Sequence, residues 1–500
     1  MRLIFFFIIF QCTVFVALAD GINELNFKAS LNSNVAQFLL PIPDRVIPLE
    51  AYFSLSEQNT PIKAKFSVLN RWVGNGKQRY ARLILIDLEY IQGSMLAFNL
   101  KWNIDGKGNG RSSIKAYNPI LVYPTKKWLA QALLLHPEYN QQEHLWYTEP
   151  QKKYAHYLTS EELLRQQGYP PEKAAQWLYD RPQAIFQLYI MSGESEWLAR
   201  GKKLSSFYQE HIDDEGLFTL KKRFDAKYLM PKGLLYDFLL SGDSKAKNTL
   251  NKIYQASLAW DENYSSKRGF WTERNQAAAL NTAISYWEVS NDEAALVRIN
   301  NIIDATVEMT FNPQDDWQLR GCPQHSFKSH EGWGDDSPAC SPWMMALLGD
   351  ALWRFYQLTN DKRAAALIDA FGDFILNYGL FYGDKRVKNI VIPKYIVSIE
   401  NSAQEELNQW SDPQHVCDVA GLLGKSVYIK NKSGSDSFLI QSLFSTFVEQ
   451  CQQSYVRLKK EKNKKQNKPY WLLKPPRRFA WMYSTTSDLP WLNNLLGDQL

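Results

Sequence analysis

Tyr189-Ile-Met-Ser192-Gly193-Glu194, Phe238-Leu-Leu-Ser241-Gly242-Asp243, Trp287-Glu-Val-Ser290-Asn291-Asp292 and Tyr356-Gln-Leu-Thr359-Asn360-Asp361 are four copies of one pattern. Each runs aromatic, two spacers, hydroxyl, Gly or Asn, acid. A looser fifth copy spans Tyr428 to Asp436. Gly and Asn tolerate the left-handed conformation that ends a helix. An acid just after it caps the next helix and favours its positive end. Each copy therefore reads as a helix stop followed at once by a helix start, with the aromatic packing across the hairpin.

The copies recur at intervals of 49, 49, 69 and 72 residues by subtraction of the aromatic positions, enough for two helices and a return loop. Ala184 to Met191, Ala277 to Val289 and Met344 to Leu358 are apolar segments; Trp197 to Tyr208, Ala294 to Met309 and Ala364 to Leu376 are amphipathic. Apolar first helices suit an inner ring buried on both sides. A sixth hairpin is expected from residues 126–167. Five to six hairpins predict an (α/α) toroid over residues 119–458, with an open superhelical solenoid as the alternative.

Upstream the period changes. Residues 20–118 carry short runs rich in β-branched and aromatic residues, such as Ala64 to Leu69 and Ala81 to Tyr90, separated by Pro41-Ile-Pro43, Gly74-Asn75-Gly76 and Gly106 to Gly110. Asn-Gly between two such runs is a hairpin signal. A small β-barrel or sandwich is expected there, giving a multidomain β + α chain.

The first 19 residues read as a signal peptide: Arg2, an apolar run from Leu3 to Val16, then Ala17-Leu-Ala19. The run is short of the roughly 20 apolar residues a membrane span needs, although an uncleaved anchor is the alternative. Secretion or a periplasmic location is the expectation. The 500 residues exceed one ordinary core. A formal net charge of +5 is small for this length and gives no reason to expect nucleic acid. The basic stretch Lys459 to Lys468 is unpatterned, and 459–500 reads as a link and tail. Removing the leader leaves Cys322, Cys340, Cys417 and Cys451; Cys322 and Cys340 bracket one loop and predict a bridge. No zinc-ligand spacing occurs, and no metal or cofactor is expected.

Trp is unusually frequent, 17 residues, with Trp72, Trp271, Trp317, Trp333 and Trp410 outside the apolar helices. Aromatic faces stack on sugar rings; a Trp-rich core explains the same count. Loops leading into inner helices gather at one mouth of a toroid. The residues there are Tyr179-Asp180-Arg181-Pro182, Trp271-Thr-Glu-Arg274-Asn275, the stretch Arg320 to Trp343, and Asp412 to His415 with Asp418. The stretch 321–340 is densest, holding His325, Lys328, His330, Glu331, Trp333, Asp335 and Asp336. Each has a structural alternative: Asp180, Asp335 or Asp336 as helix caps, His415 as a core histidine, the whole loop as a solvated loop pinned by its disulfide.

Val68 to Glu89, with Arg71-Trp72-Val-Gly74-Asn75-Gly76 between two strand-like runs, resembles the strand–Arg/Trp–Gly turn–strand signature of the RIFT-barrel domain of exo-rhamnogalacturonan lyase-like proteins. Gln37-Phe38-Leu-Leu-Pro41-Ile-Pro43 is similar to that domain's opening strand. The usual Gly-Ser after the turn is replaced by Gly76-Lys77-Gln78. The resemblance implies a RIFT barrel followed by a toroid; no catalytic position matches one by one.

The expected ligand is an acidic polysaccharide or oligosaccharide, and the expected reaction β-elimination beside a uronate. That chemistry needs a cation at the carboxylate, a base at C5 and an acid at the leaving oxygen. Arg181 or Arg274 suits the first role, His325, His330 or His415 the second, and Tyr179 can serve as acid or base. Asp180, Trp271, Asn275, Trp333, Asp335 and Asp336 would bind substrate. A glycoside hydrolase pairing Asp180 with Glu331, Asp335 or Asp336 is one alternative. A non-catalytic glycan-binding or polysaccharide-assembly protein is the other.

Overall fold

The computed structural model describes residues 23–30, 37–74, 77–88, 95–137, 141–166, 168–262, 272–313, 318–331, 334–382, 391–398, 412–460, 462–463, 468–469 and 477–497. The leader expected at 1–19 and Trp271, Trp317, Trp333 and Trp410 lie outside them. Among the described residues no helix is long and apolar enough to cross a membrane.

The N-terminal part is two four-stranded sheets. One orders β1 (Asn23–Ser30), β7 (Met95–Asn103), β3 (Tyr52–Glu57) and β4 (Thr60–Ile62); the other orders β5 (Ala64–Arg71), β6 (Ala81–Leu88), β2 (Gln37–Pro41) and β8 (Ile120–Leu121). Phe27, Phe38, Phe53, Phe66 and Phe98 meet between them. Strand β3 alternates exposed and buried side chains, as a sheet with one wet face requires. Strand β6 is almost continuously apolar because both its faces are covered. Ile84 and Ile86 enter the sandwich core, while Leu83 and Leu85 enter the helical core.

Helices α1 (Lys126–Ala132), α2 (Gln141–Leu158) and α3 (Glu161–Gln166) lead to five helical hairpins. These are α4 (Arg181–Ser192) with α5 (Ser195–Glu210), α6 (Pro231–Ser241) with α7 (Ser244–Ser257), and α8 (Glu273–Ser290) with α9 (Glu293–Phe311). After α10 (Phe327–Glu331) come α11 (Pro342–Thr359) with α12 (Lys362–Tyr378), and α13 (Asp412–Ser433) with α14 (Phe438–Lys460). Contacts run α4–α6–α8–α11–α13, then through α16 (Leu489–Gly497) and α15 (Arg477–Tyr483) back to α4. The ring is closed, which excludes an open solenoid.

The sixth sector corrects two expectations. Residues 126–167 supply only its outer helix, α2, which packs on α14 and α4. Its inner half is α15 and α16, so 477–497 belong to the ring and are no tail. Ser484 to Asp488, the break between them, are all buried.

The hairpin turns follow their residues. Gly193, Gly242, Asn291 and Asn360 have φ between +57° and +72°. Their N–H groups return to the carbonyls of Tyr189, Phe238, Trp287 and Tyr356 at 2.7–2.8 Å. Asp243, Asp292 and Asp361 cap the next helix by accepting from the amide two residues on. The hydroxyls of Ser241, Ser290 and Thr359 donate back to the preceding turn and accept the acid's own N–H. Glu194 differs: its carboxylate accepts from the Trp197 indole at 2.7 Å.

The β-domain sits on this turn end. Asn70 Nδ2 donates to the Glu288 carbonyl (2.9 Å) and Lys77 Nζ to that of Gln357 (3.0 Å); just after the domain, Lys126 Nζ of α1 donates to that of Ser192 (2.7 Å). Cations there face the negative ends of the inner helices. Beneath them Glu288 accepts from Arg82 (2.6 Å) and Arg354 (2.6 and 2.8 Å), all three buried. Trp72 lies fully buried under the Arg82 guanidinium, 4.3 Å away, so this loop tryptophan is core. Disulfides join Cys322 to Cys340 (Cα–Cα 6.3 Å) and Cys417 on α13 to Cys451 on α14 (5.0 Å).

Candidate functional site

At the end of the ring away from the β-domain lies a cavity of about 50 Å³. It is walled by the first turns of α4, α6 and α8, by Leu347 and Asp350 of α11, and by the break at Ser484 and Thr485. Three inner helices thus aim their N-termini at it, the ends that carry unsatisfied N–H groups and positive partial charge.

Asp180 anchors the wall. Tyr179 and Asp180 are consecutive left-handed residues (φ +69° and +57°), a conformation that costs a non-Gly residue about 1–2 kcal/mol. Strain of this kind collects at functional sites. It turns both side chains to the cavity. Asp180 Oδ1 accepts from Gln183 N (3.1 Å) and Oδ2 from Gly233 N (3.0 Å). Only Gly fits at 233, since a Cβ there would lie 2.6 Å from Oδ1. Burial pushes the Asp180 carboxyl up to about 6, against the two amide donors and Lys232.

Asp350 is its opposite. Lys232 and Lys425 both reach it, Lys425 at 3.0 Å, and Lys425 also donates to the Thr485 carbonyl. Burial raises this carboxyl, but the two ammonium groups outweigh it and bring it down to about 2. Arg274 and Lys227 complete the lining. Burial, and then the charge of Arg274, hold the Lys227 ammonium below its ordinary value. Arg274 Nε and Asn281 Oδ1 are buried with no hydrogen-bond partner among the described residues. The site therefore presents one readily protonated acid, one fixed carboxylate and three cations.

Of the residues expected from sequence, Tyr179, Asp180 and Arg274 share this cavity. His415 sits behind it: its ring stacks on Trp343 (4.9 Å), which meets Tyr179 edge-on (6.0 Å). Its Nδ1 pairs with Asp418 at 2.7 Å and both are buried. His325 is fully buried against Glu273 (2.8 Å), whose other oxygen accepts from Ser341 N. Neither imidazole lines the cavity. Arg181 is also buried, turned to Gln176 and stacked over Trp177. The expectation that Arg181, Arg274, His325 or His330, and His415 converge is corrected: among the described side chains Arg274 reaches the cavity, and Arg181, His325 and His415 do not. Asn275 is buried away from the lining. Asp335 and Asp336 are exposed, and Asp335 accepts from Ser337 in a local turn. The side chains of His330 and Glu331, and all of Trp271 and Trp333, lie outside the described residues.

Sequence reasoning missed Lys227, Lys232, Asp350, Lys425 and the Ser484–Thr485 break. Asp350 and Lys425 each interrupt an apolar helix, Leu-Leu-Gly-Asp350-Ala-Leu and Leu-Leu-Gly-Lys425-Ser-Val. A charge in such a run must find a partner, and that signal was present.

No family model matches the chain, and no curated protein does. Among solved structures it is similar to an unsaturated glucuronyl hydrolase specific for heparin: 12% identity, TM-score 0.45, covering 69% of this chain and 96% of that one. It is also similar to a glycoside hydrolase from family 105 of C. acetobutylicum: 11%, 0.46, 68% and 98%. A third likeness is to a polysaccharide lyase: 9%, 0.44, 69% and 98%.

Proposed function

We propose that this protein is a carbohydrate-active enzyme acting on an acidic oligosaccharide, with Asp180 as the proton donor to the leaving oxygen. One observation carries the reading. A buried carboxyl pushed up to about 6 shares a small cavity with Arg274 and Lys227 at the convergent N-termini of three helices. Such a place favours an anion, and the neutral form of Asp180 is available to donate at mildly acid pH. Asp180 and Asp350, pushed in opposite directions, are the pattern in which one carboxyl keeps its proton while the other stays charged. This favours hydrolysis. β-Elimination is the second reading, supported by the Tyr179 side chain lining the same cavity as Arg274. Kinship with exo-rhamnogalacturonan lyase-like proteins and export from the cytoplasm belong to the proposal; two disulfides fit an oxidising compartment.

The test is incubation of the purified protein with saturated and unsaturated uronate-containing oligosaccharides beside neutral ones. New reducing ends without new ultraviolet absorbance mean hydrolysis; rising absorbance of an unsaturated uronate means elimination. Asp180→Asn should abolish turnover while leaving binding, and Arg274→Ala should weaken the acidic sugars at least tenfold more than the neutral ones. Equal loss on both classes, or no interaction with any acidic sugar, would overturn the proposal.

A further inference from the structure

Arg181 follows the proton donor in sequence yet faces away from the cavity. Its side chain is 0% exposed. Nη2 donates to the carbonyl and to Oε1 of Gln176, and the guanidinium lies 5.1 Å from the Trp177 ring centre. Among the described residues Nε and Nη1 have no hydrogen-bond partner, and neither has the buried Tyr157 hydroxyl. Tyr157 and Tyr154 of α2 are the groups electrostatically coupled to Arg181, and no carboxylate is among them. Burial lowers its affinity for the proton, to about 9, yet leaves it charged at neutral pH.

A buried charge is otherwise paired. The unmatched groups of Arg181 are hydrogen-bond donors, and the Tyr157 hydroxyl can donate as well. A water molecule could accept from two of them but would leave the buried charge unbalanced, whereas an anion accepts from them and neutralises it. We propose that Arg181 and Tyr157 hold a small monovalent inorganic anion of the chloride type in the seam between α2 and α4, apart from the cavity. The anion neutralises the guanidinium and ties the outer helix of the sixth sector to the first inner helix.

The experiment is thermal unfolding of the full chain in sodium chloride and in sodium gluconate, too large for a closed seam, at equal ionic strength. The unmodified protein should melt about 2 °C higher in chloride. Arg181→Met, which removes the charge, should lose the difference, and Tyr157→Phe should reduce it. Crystals of the unmodified protein soaked in bromide should show an anomalous peak beside Arg181, a reading that does not depend on any variant folding. Equal melting in both salts, a chloride increment that survives Arg181→Met, or no bromide at Arg181 would overturn the proposal.

Discussion

Two buried acids carry opposite duties from the same shift. Burial pushes Asp180 and Asp237 each up to about 6. Asp180 lines a cavity, whereas Asp237 of α6 lies between neighbouring hairpins, accepting from Gln209 Nε2 of α5 (3.1 Å) and the Ser241 hydroxyl (3.1 Å). A carboxyl whose folded pKa exceeds its unfolded value near 3.9 adds stability that is full below that value and is lost as pH rises through about 6. Two pKa units correspond to about 3 kcal/mol. Asp237→Asn should therefore lessen the fall in stability between pH 4 and pH 7, read from urea midpoints across that range. An unchanged pH slope would mean that Asp237 does not ionise with the cost its burial implies. The site residues legible in the sequence were those beside a helix start, Tyr179, Asp180 and Arg274. The histidines drew attention by type, but His415 and His325 each lie against a buried carboxylate, His415 against Asp418 three residues on and His325 against Glu273 from another helix. Asp350 and Lys425 stayed unread because their pairing joins positions 75 residues apart.

The elements were the most legible level, because helix ends are local chemistry. Hydroxyl, Gly or Asn, and acid specify a stop and a start within a few residues, and the ring repeats that unit. What no local pattern specifies is how closely two inner helices approach. Gly233, on the first turn of α6, sets that distance for α4: an added Cβ would lie 2.6 Å from Asp180 Oδ1 and 2.7 Å from Pro182 Cβ. Backbone and ring atoms cannot yield as a flexible side chain can. Gly233→Ala should therefore cost roughly 1–3 kcal/mol by overpacking, and should move the carboxyl off its amide donors. At Gly242 an added Cβ would make only ordinary contact, with Leu39, Ala116 and Leu69 at 3.4–3.6 Å, but φ is +71°. Gly242→Val should cost stability there, about 1 kcal/mol or more from the backbone alone, while leaving the distant cavity's pH dependence intact. Denaturant midpoints and the pH profile of the two variants separate the cases: loss of the alkaline limb that Asp180 sets, in both variants or in neither, would contradict this placement.

The whole molecule depends on a closure that the repeat could not reveal. The sixth sector joins α2, near the start of the helical region, to α15 and α16 at the other end of the chain, and its inner half is broken at Ser484 to Asp488. A broken helix leaves backbone groups unpaired, and here they serve the ring: Ser484 O accepts from Gln183 Nε2 (2.8 Å) and Thr485 O from Lys425 Nζ (3.3 Å). Thr486 meets the Tyr147 hydroxyl (2.7 Å), and Asp488 accepts from the Trp353 indole (3.0 Å) and His136 N (3.2 Å). The segment has no copy of the turn motif and follows a basic stretch, so it read as a tail. Deleting residues 477–500 removes one inner wall, exposes the facing sides of α13 and α4, and strands the buried amides and ammonium that it satisfies. The truncated chain should lose cooperative unfolding while keeping most of its helical circular dichroism, and should bind a hydrophobic dye. If it is not recovered in soluble form, Asp488→Ala makes the same test in the intact chain. Leaving Trp353 Nε1 and His136 N without their acceptor should lower stability by about 1–3 kcal/mol. A truncated protein that melts as sharply and as high as the full chain would show that the ring closes without its last sector.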